Sequence, residues 1–186
     1  FGCFNLANKI SDPCLAVWSG ALAAVPDSRL LLKSGAFADA GVLDRLRGRL
    51  AAAGIAPERV TTLPTVPSLQ EHLALYRQVH VALDTLPYSG TTTTCEALWM
   101  GVPVLTLLGE RHAGRVSASL LRAAGCGAWV AETREQFTAL ARGLAADPAT
   151  LRAFRTGARE QLRRSPLLDA RAYAERMVAA LRGLVG

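Results

Sequence analysis

The chain has 186 residues, 51% hydrophobic and 19% charged, a balance that fits one compact domain with a sizeable core and excludes a disordered or fibrous chain. Lys and Arg number 21 against 15 Asp and Glu, a net charge of +6. The excess is spread over helical segments such as RLRGRL and AREQLRR, with no basic run interleaved with stacking aromatics, which argues against nucleic acid and suits a small anionic ligand.

Short apolar runs alternate with helical patterns along most of the chain. The runs are FGCFN (1–5), RLLLK (29–33), RVTTL (59–63), VHVALD (79–84), PVLTLL (103–108) and AWVA (128–131). Most lack period-two polarity, as expected of parallel strands covered on both faces. The first run has no initiator methionine and reads like the inside of a fold, so the chain is expected to be a piece of a longer protein. Ser11-Asp12-Pro13 opens a first helix, with a capping side chain and a proline in the first turn, and Pro26 ends it. A second helix, 39–54, closes at Gly54; PSLQEHLALYRQ begins a third; TTTTCEALWMG forms a fourth ending at Gly101; GRVSASLLRAAG forms a fifth ending at Gly125. Glycine is the residue expected at a left-handed helix terminus.

This alternation predicts an α/β fold, a doubly wound, mostly parallel, Rossmann-like sheet. After residue 131 the pattern turns helical, with segments 133–147, 148–164 and about 169–184 separated by Asp147-Pro148 and Ser165-Pro166. Residues 1–168 are read as one domain and 169–186 as a terminal helix that either crosses to another lobe or packs on its own sheet. Cys3, Cys14, Cys95 and Cys126 form no CxxC pair and sit in apolar patterns, which predicts free thiols in a reducing, cytoplasmic setting. No apolar stretch of about 18 residues and no signal peptide pattern occurs, so no membrane partner is expected.

Open α/β sheets bind ligands beyond the carboxyl ends of their strands. There the run VHVALD leads through TLPYSG into a helix, which places Gly90, Thr91, Thr92 and Thr93 at a helix N-terminus. Free N–H groups and the positive end of the helix dipole make that position suited to phosphate. Thr93 followed by Glu96 also matches a capping box, which needs no ligand. Four hydroxyls exceed one cap, and Glu96 can reach a ribose diol instead. Lys9, Lys33, Arg111, His112 and Arg115 follow other strand ends and are either counter-charges for a diphosphate or ordinary surface charges. His72 in QEHLALY has no metal-ligand spacing and can stack on a base. No HExxH, P-loop or GxGxxG with a downstream acid is present.

FGCFNLANKI, SRLLLK, EHLALY, LDTLPYSGTTTTCEALWMGVPVLTL and GERHAGRVSASLL together resemble the C-terminal catalytic half of the O-linked N-acetylglucosamine transferase and SPINDLY family. The resemblance extends over essentially all of the chain. It implies the donor-binding lobe of a GT-B glycosyltransferase that moves a sugar to Ser or Thr of proteins by inversion, without a metal ion or any cofactor beyond the nucleotide-sugar donor. It further implies a missing N-terminal lobe with tetratricopeptide repeats, so that the 186 residues alone bind nucleotide but transfer nothing. By the same resemblance Lys9 touches the diphosphate, Thr91, Thr92 and Thr93 grip the phosphates, Glu96 binds the ribose and His72 packs on the base. Animal members carry histidine, lysine and arginine where this chain has Thr91, Leu69 and Leu75. FGCFN, Lys33, PYSGTTTTCE and the His112 segment are more similar to SPINDLY, whose plant members use GDP-fucose. UDP-GlcNAc and GDP-fucose are therefore the two donors implied, with a non-catalytic nucleotide-binding scaffold and a transferase acting on a lipid or small glycan as rival readings.

Overall fold

A computed structural model describes residues 1–185. Six short strands, β1 (Gly2–Cys3), β2 (Leu30–Lys33), β3 (Val60–Leu63), β4 (Ala82–Leu83), β5 (Val104–Leu107) and β6 (Val130–Ala131), lie inside the six expected runs. All pair in parallel, in the order β3-β2-β1-β4-β5-β6. The order reverses between β1 and β4, where Gly2 pairs with Ala82. In a doubly wound sheet this switch point opens a crevice at the carboxyl ends.

Eight helices accompany the strands among the described residues: α1 (Asp12–Ala24), α2 (Ala40–Ala52), α3 (Leu69–Leu75), α4 (Thr92–Trp99), α5 (Val116–Ala123), α6 (Arg134–Ala146), α7 (Pro148–Arg163) and α8 (Ala170–Val185). Ser11 caps α1 by accepting from the Cys14 N–H, with Pro13 in the first turn. Asp39, Thr133 and Asp147 cap α2, α6 and α7 in the same way. The third helix is shorter than its pattern suggests; it gives way to a single tight turn, Tyr76–Gln78.

One side of the sheet is filled by α1 and α6, with Trp18, Leu15, Leu22 and Phe137 buried against Leu30, Leu32, Leu83 and Leu105. The other holds Val79, Leu98, Val102, Val104, Leu121 and Leu162. Each such side chain contributes about 1.5–3 kcal/mol through removal from water. Cys3, Cys14 and Cys126 share this core, whereas Cys95 is exposed on α4.

The three glycines expected to close helices have positive φ. Gly101 is the most constrained, since a Cβ there would lie 2.6 Å from Arg155 Cα on α7. The same contact is stitched by arginine: Arg155 donates to the carbonyls of Tyr76 and Val79, and Arg159 donates to that of Trp99. Gly101→Ala is expected to cost about 2 kcal/mol or more, left-handed strain plus displacement of α7, read as a lower urea midpoint. No helix among the described residues is long and apolar enough to cross a membrane.

Candidate functional site

The crevice is organised from below by a carboxylate that sequence reasoning did not single out. Asp84 follows β4 and is 3% exposed. Its Oδ1 accepts from the N–H groups of Thr85 at 2.8 Å and Gly90 at 2.7 Å, and its Oδ2 accepts from the Thr106 hydroxyl at 2.7 Å. Burial pushes the Asp84 carboxyl above the ordinary carboxylate range, and the surrounding donors pull the other way. The Asp84 carbonyl accepts from Trp18 Nε1 at 3.0 Å, which fastens the loop to α1.

From this anchor the loop 84–91 climbs to α4. Ser89 donates through both its N–H and its hydroxyl to the Ala113 carbonyl, joining this loop to the one after β5. Gly90 is needed for packing, because a Cβ there would fall 2.5 Å from Thr94 Oγ1 and 2.9 Å from Thr93 Oγ1. Its N–H belongs to Asp84 and so is not an open phosphate donor.

The four threonines do different things. Thr91 is the N-cap, at φ −131 and ψ −79, and no side chain caps the helix. The first-turn N–H groups of an α-helix have no intrahelical acceptor, and here Thr91 and Thr92 stand exposed beside them. Thr93 is half-buried and donates to Asn5 Oδ1 at 2.7 Å; Thr94 is buried against Ser117 at 2.8 Å. The capping box that Thr93 and Glu96 match in sequence, the reading that needs no ligand, is therefore not formed. The helix begins earlier than that pattern requires, and both side chains turn to partners elsewhere in the fold.

Lys9 reaches across from the end of β1. Its Nζ donates to the Ser89 carbonyl at 3.0 Å and lies 3.7 Å from the centroid of the Tyr88 ring. An ammonium thus stands against the loop that leads into the uncapped helix start. Lys33, at the end of β2, is half-buried; burial lowers its pKa, opposed by the charge of Glu96. Glu96 Oε2 lies 2.9 Å from His72 Nε2 and 3.4 Å from the Tyr76 hydroxyl. His112 is exposed on the loop after β5, and the Arg115 side chain donates back to the Gly109 carbonyl. The fold thus sets Lys9 against the loop that leads to Gly90 and the α4 start, and joins Glu96 to His72 and Tyr76 as a second group. Asn5, Tyr76, Asp84 and Thr106 were missed; Asp84 ending an apolar run, before a glycine-bearing loop, was the available signal. Among the described residues no three His, Cys, Asp or Glu side chains are grouped as metal ligands.

An anion suits the uncapped start of α4 chemically, where first-turn N–H groups and the exposed Thr91 and Thr92 stand together and the Lys9 ammonium lies against the loop that leads there. The chain is similar to known proteins over nearly its whole length. The "Probable UDP-N-acetylglucosamine--peptide N-acetylglucosaminyltransferase SPINDLY" of Oryza sativa subsp. japonica is 39% identical over 184 residues, 99% of this chain and 20% of the relative. A mutant of the Thermobaculum terrenum O-GlcNAc transferase superposes with a TM-score of 0.88 at 41% identity, covering 98% of this chain and 35% of that one. The glycosyltransferase WaaG, involved in lipopolysaccharide biosynthesis, shares the fold alone, at a TM-score of 0.60 and 19% identity over 88% of this chain and 41% of its own. The Rossmann-like sheet is thus that of a GT-B glycosyltransferase lobe. The chain spans about a fifth of the curated relatives' length. The family model described as glycosyl transferase family 41 matches residues 1–177, and the chain belongs to that family.

Proposed function

We propose that this chain is the donor-binding lobe of a protein O-glycosyltransferase that transfers N-acetylglucosamine from UDP-GlcNAc to Ser and Thr hydroxyls of proteins. The observation that carries this reading is the Lys9 ammonium set against the loop that leads into the uncapped start of α4. The names of the relatives support the sugar and the acceptor class.

In the proposed reaction an acceptor oxygen attacks the anomeric carbon, the bond to the β-phosphate oxygen breaks, and configuration inverts. Negative charge grows on the departing UDP, and donors already fixed there lower the barrier more than they tighten ground-state binding. Lys9, the first-turn N–H groups and the hydroxyls of Thr91 and Thr92 supply that charge stabilisation without a metal ion or further cofactor. Glu96 faces the ribose, and Lys33 and His112 flank the nucleotide. The lobe that holds the acceptor and the base that takes the proton of its hydroxyl belong to the rest of a longer protein, with an N-terminal lobe and tetratricopeptide repeats. The 186 residues alone are then a nucleotide binder without turnover. Helix α8 presents an exposed stripe of Tyr173, Met177, Leu181 and Leu184, which suits a crossing from residue 169 to that lobe. A cytoplasmic location belongs to the same proposal, supported by the four cysteines being free thiols.

Titration calorimetry of the full-length protein tests the reading. UDP is expected to bind in preference to GDP, and Thr91→Val/Thr92→Val to weaken UDP by about tenfold or more, through loss of hydrogen bonds to a charged acceptor. No heat from either nucleotide sinks the proposal, and preference for GDP sinks the choice of donor.

A further inference from the structure

Lys9 is held unequally at its two ends. Its main chain is fixed from several sides: the Ala7 N–H donates to Ser34 Oγ at 3.1 Å, Arg49 donates to the Ile10 carbonyl at 2.6 Å, and the Ser11 hydroxyl donates to the Leu86 carbonyl. The tight turn Ala7–Lys9 is thereby tied to the end of β2, to α2 and to the loop 84–91. The side chain has far less. Among the described residues the Lys9 ammonium forms no ion pair, and its contacts are the Ser89 carbonyl at 3.0 Å and the Tyr88 ring, whose centroid lies 3.7 Å away.

A lysine stem loses more rotamer entropy when its end is fixed than one partly solvated hydrogen bond returns. The carbonyl alone would leave the ammonium moving through solvent. A cation over an aromatic face is attracted by the ring quadrupole, and here the two are close enough for that attraction to act strongly. The ring therefore decides whether the side chain stays in place. Tyr88 serves no packing role that would compete with this one: it is 52% exposed, belongs to neither core cluster, and stacks on no other ring among the described residues. Its main chain is nevertheless rigid. The Thr85 hydroxyl donates to the Tyr88 carbonyl at 2.7 Å, and the neighbouring Ser89 hydroxyl donates to the Ala113 carbonyl at 2.8 Å.

We propose that Tyr88 is a positioning residue, whose ring face seats the Lys9 ammonium against the loop leading to α4 before the donor arrives. The role rests on the transferase reading above, in which Lys9 meets the departing diphosphate, and Tyr88 acts through Lys9 rather than on the donor. An ammonium already in place needs no reorganisation as charge develops on the leaving group, so removal of the ring should lower kcat more than it raises the donor KM.

The test is steady-state kinetics of the full-length protein on a peptide acceptor, with whichever of UDP-GlcNAc and GDP-fucose it turns over. Tyr88→Leu keeps apolar bulk without a π face, and is expected to lower kcat by about three- to tenfold with the donor KM changed by less than about twofold. Tyr88→Phe keeps the face and is expected to stay within about twofold of wild type. Both should unfold at close to the wild-type urea midpoint, because the side chain is half-exposed. The deciding arm is the double variant. In a Lys9→Met background, Tyr88→Leu is expected to change the residual kcat by less than about twofold, since the ring then has no cation to hold. A further loss of about threefold or more in that background marks a contact of the ring with substrate and overturns the proposal. So does wild-type kcat in Tyr88→Leu, or a Tyr88→Phe variant as slow as Tyr88→Leu; either result leaves the role of Lys9 standing. A loss below about tenfold in Lys9→Met alone, or no turnover of either donor by wild type, overturns the transferase reading and the seat with it. Should Tyr88→Leu not fold, Tyr88→Gln removes the ring for the same comparison.

Discussion

Lys9→Met in the full-length enzyme is expected to lower kcat by about 100- to 1,000-fold, the usual cost of removing one fixed donor from a developing oxyanion. Methionine preserves most of the unbranched stem and so keeps the packing beside Tyr88, while the charge 3.0 Å from the Ser89 carbonyl disappears. Stability should barely move, by about 0.5 kcal/mol or less, because the bond lost is partly solvated. The donor KM should rise less than kcat falls, since the charge on the leaving diphosphate is larger in the transition state than in the bound sugar nucleotide. Lys9→Arg should restore little, because a planar fork cannot occupy the place of a compact ammonium between a carbonyl and a ring face. A loss below about tenfold, measured as turnover of donor on a peptide acceptor, would remove Lys9 from the chemistry.

Asp84→Ala acts on the scaffold of the same site, and its effect is expected in stability first. It strands the N–H groups of Thr85 and Gly90 and the hydroxyl of Thr106, all buried. Each stranded donor costs about 1–3 kcal/mol and some find new partners, so a net loss of about 3–5 kcal/mol is expected. That is a large share of the roughly 5–15 kcal/mol that holds a domain folded. Asp84→Asn keeps the Oδ1 acceptor, and its amide can donate to Thr106 Oγ1, which can accept as well as donate. The asparagine variant should therefore lose only about 1–2 kcal/mol. Urea unfolding of the two variants side by side checks the ranking, and an alanine variant within about 1 kcal/mol of wild type would contradict the assignment of Asp84 as anchor.

Much of this architecture is legible locally. Six apolar runs became six parallel strands, and Gly54, Gly101 and Gly125 closed the helices they were expected to close. Apolar periodicity and helix termination depend on neighbours within a few residues, so a single sequence carries them. The threonine row shows where that stops. Thr93 and Glu96 satisfy a local capping pattern, yet Thr93 bonds to Asn5, 88 residues away, and Glu96 bonds to His72, 24 residues away. Tertiary partners outcompeted the local one because the switch point brings the ends of β1 and β4 side by side. Asp84 escaped notice for the same reason: Thr106, one of its donors, stands on the neighbouring strand and is invisible until the sheet order is known.

Two hydrogen bonds from Ser89 to the Ala113 carbonyl join residues 84–91 and 109–115 into one piece, and a hydrogen bond from the Gly109 N–H to the Gly114 carbonyl closes the second segment on itself. An attempt to re-engineer the donor pocket by grafting either segment alone from a homologue would break that seam. The two must travel together, as a paired cassette, for a transplanted selectivity to survive.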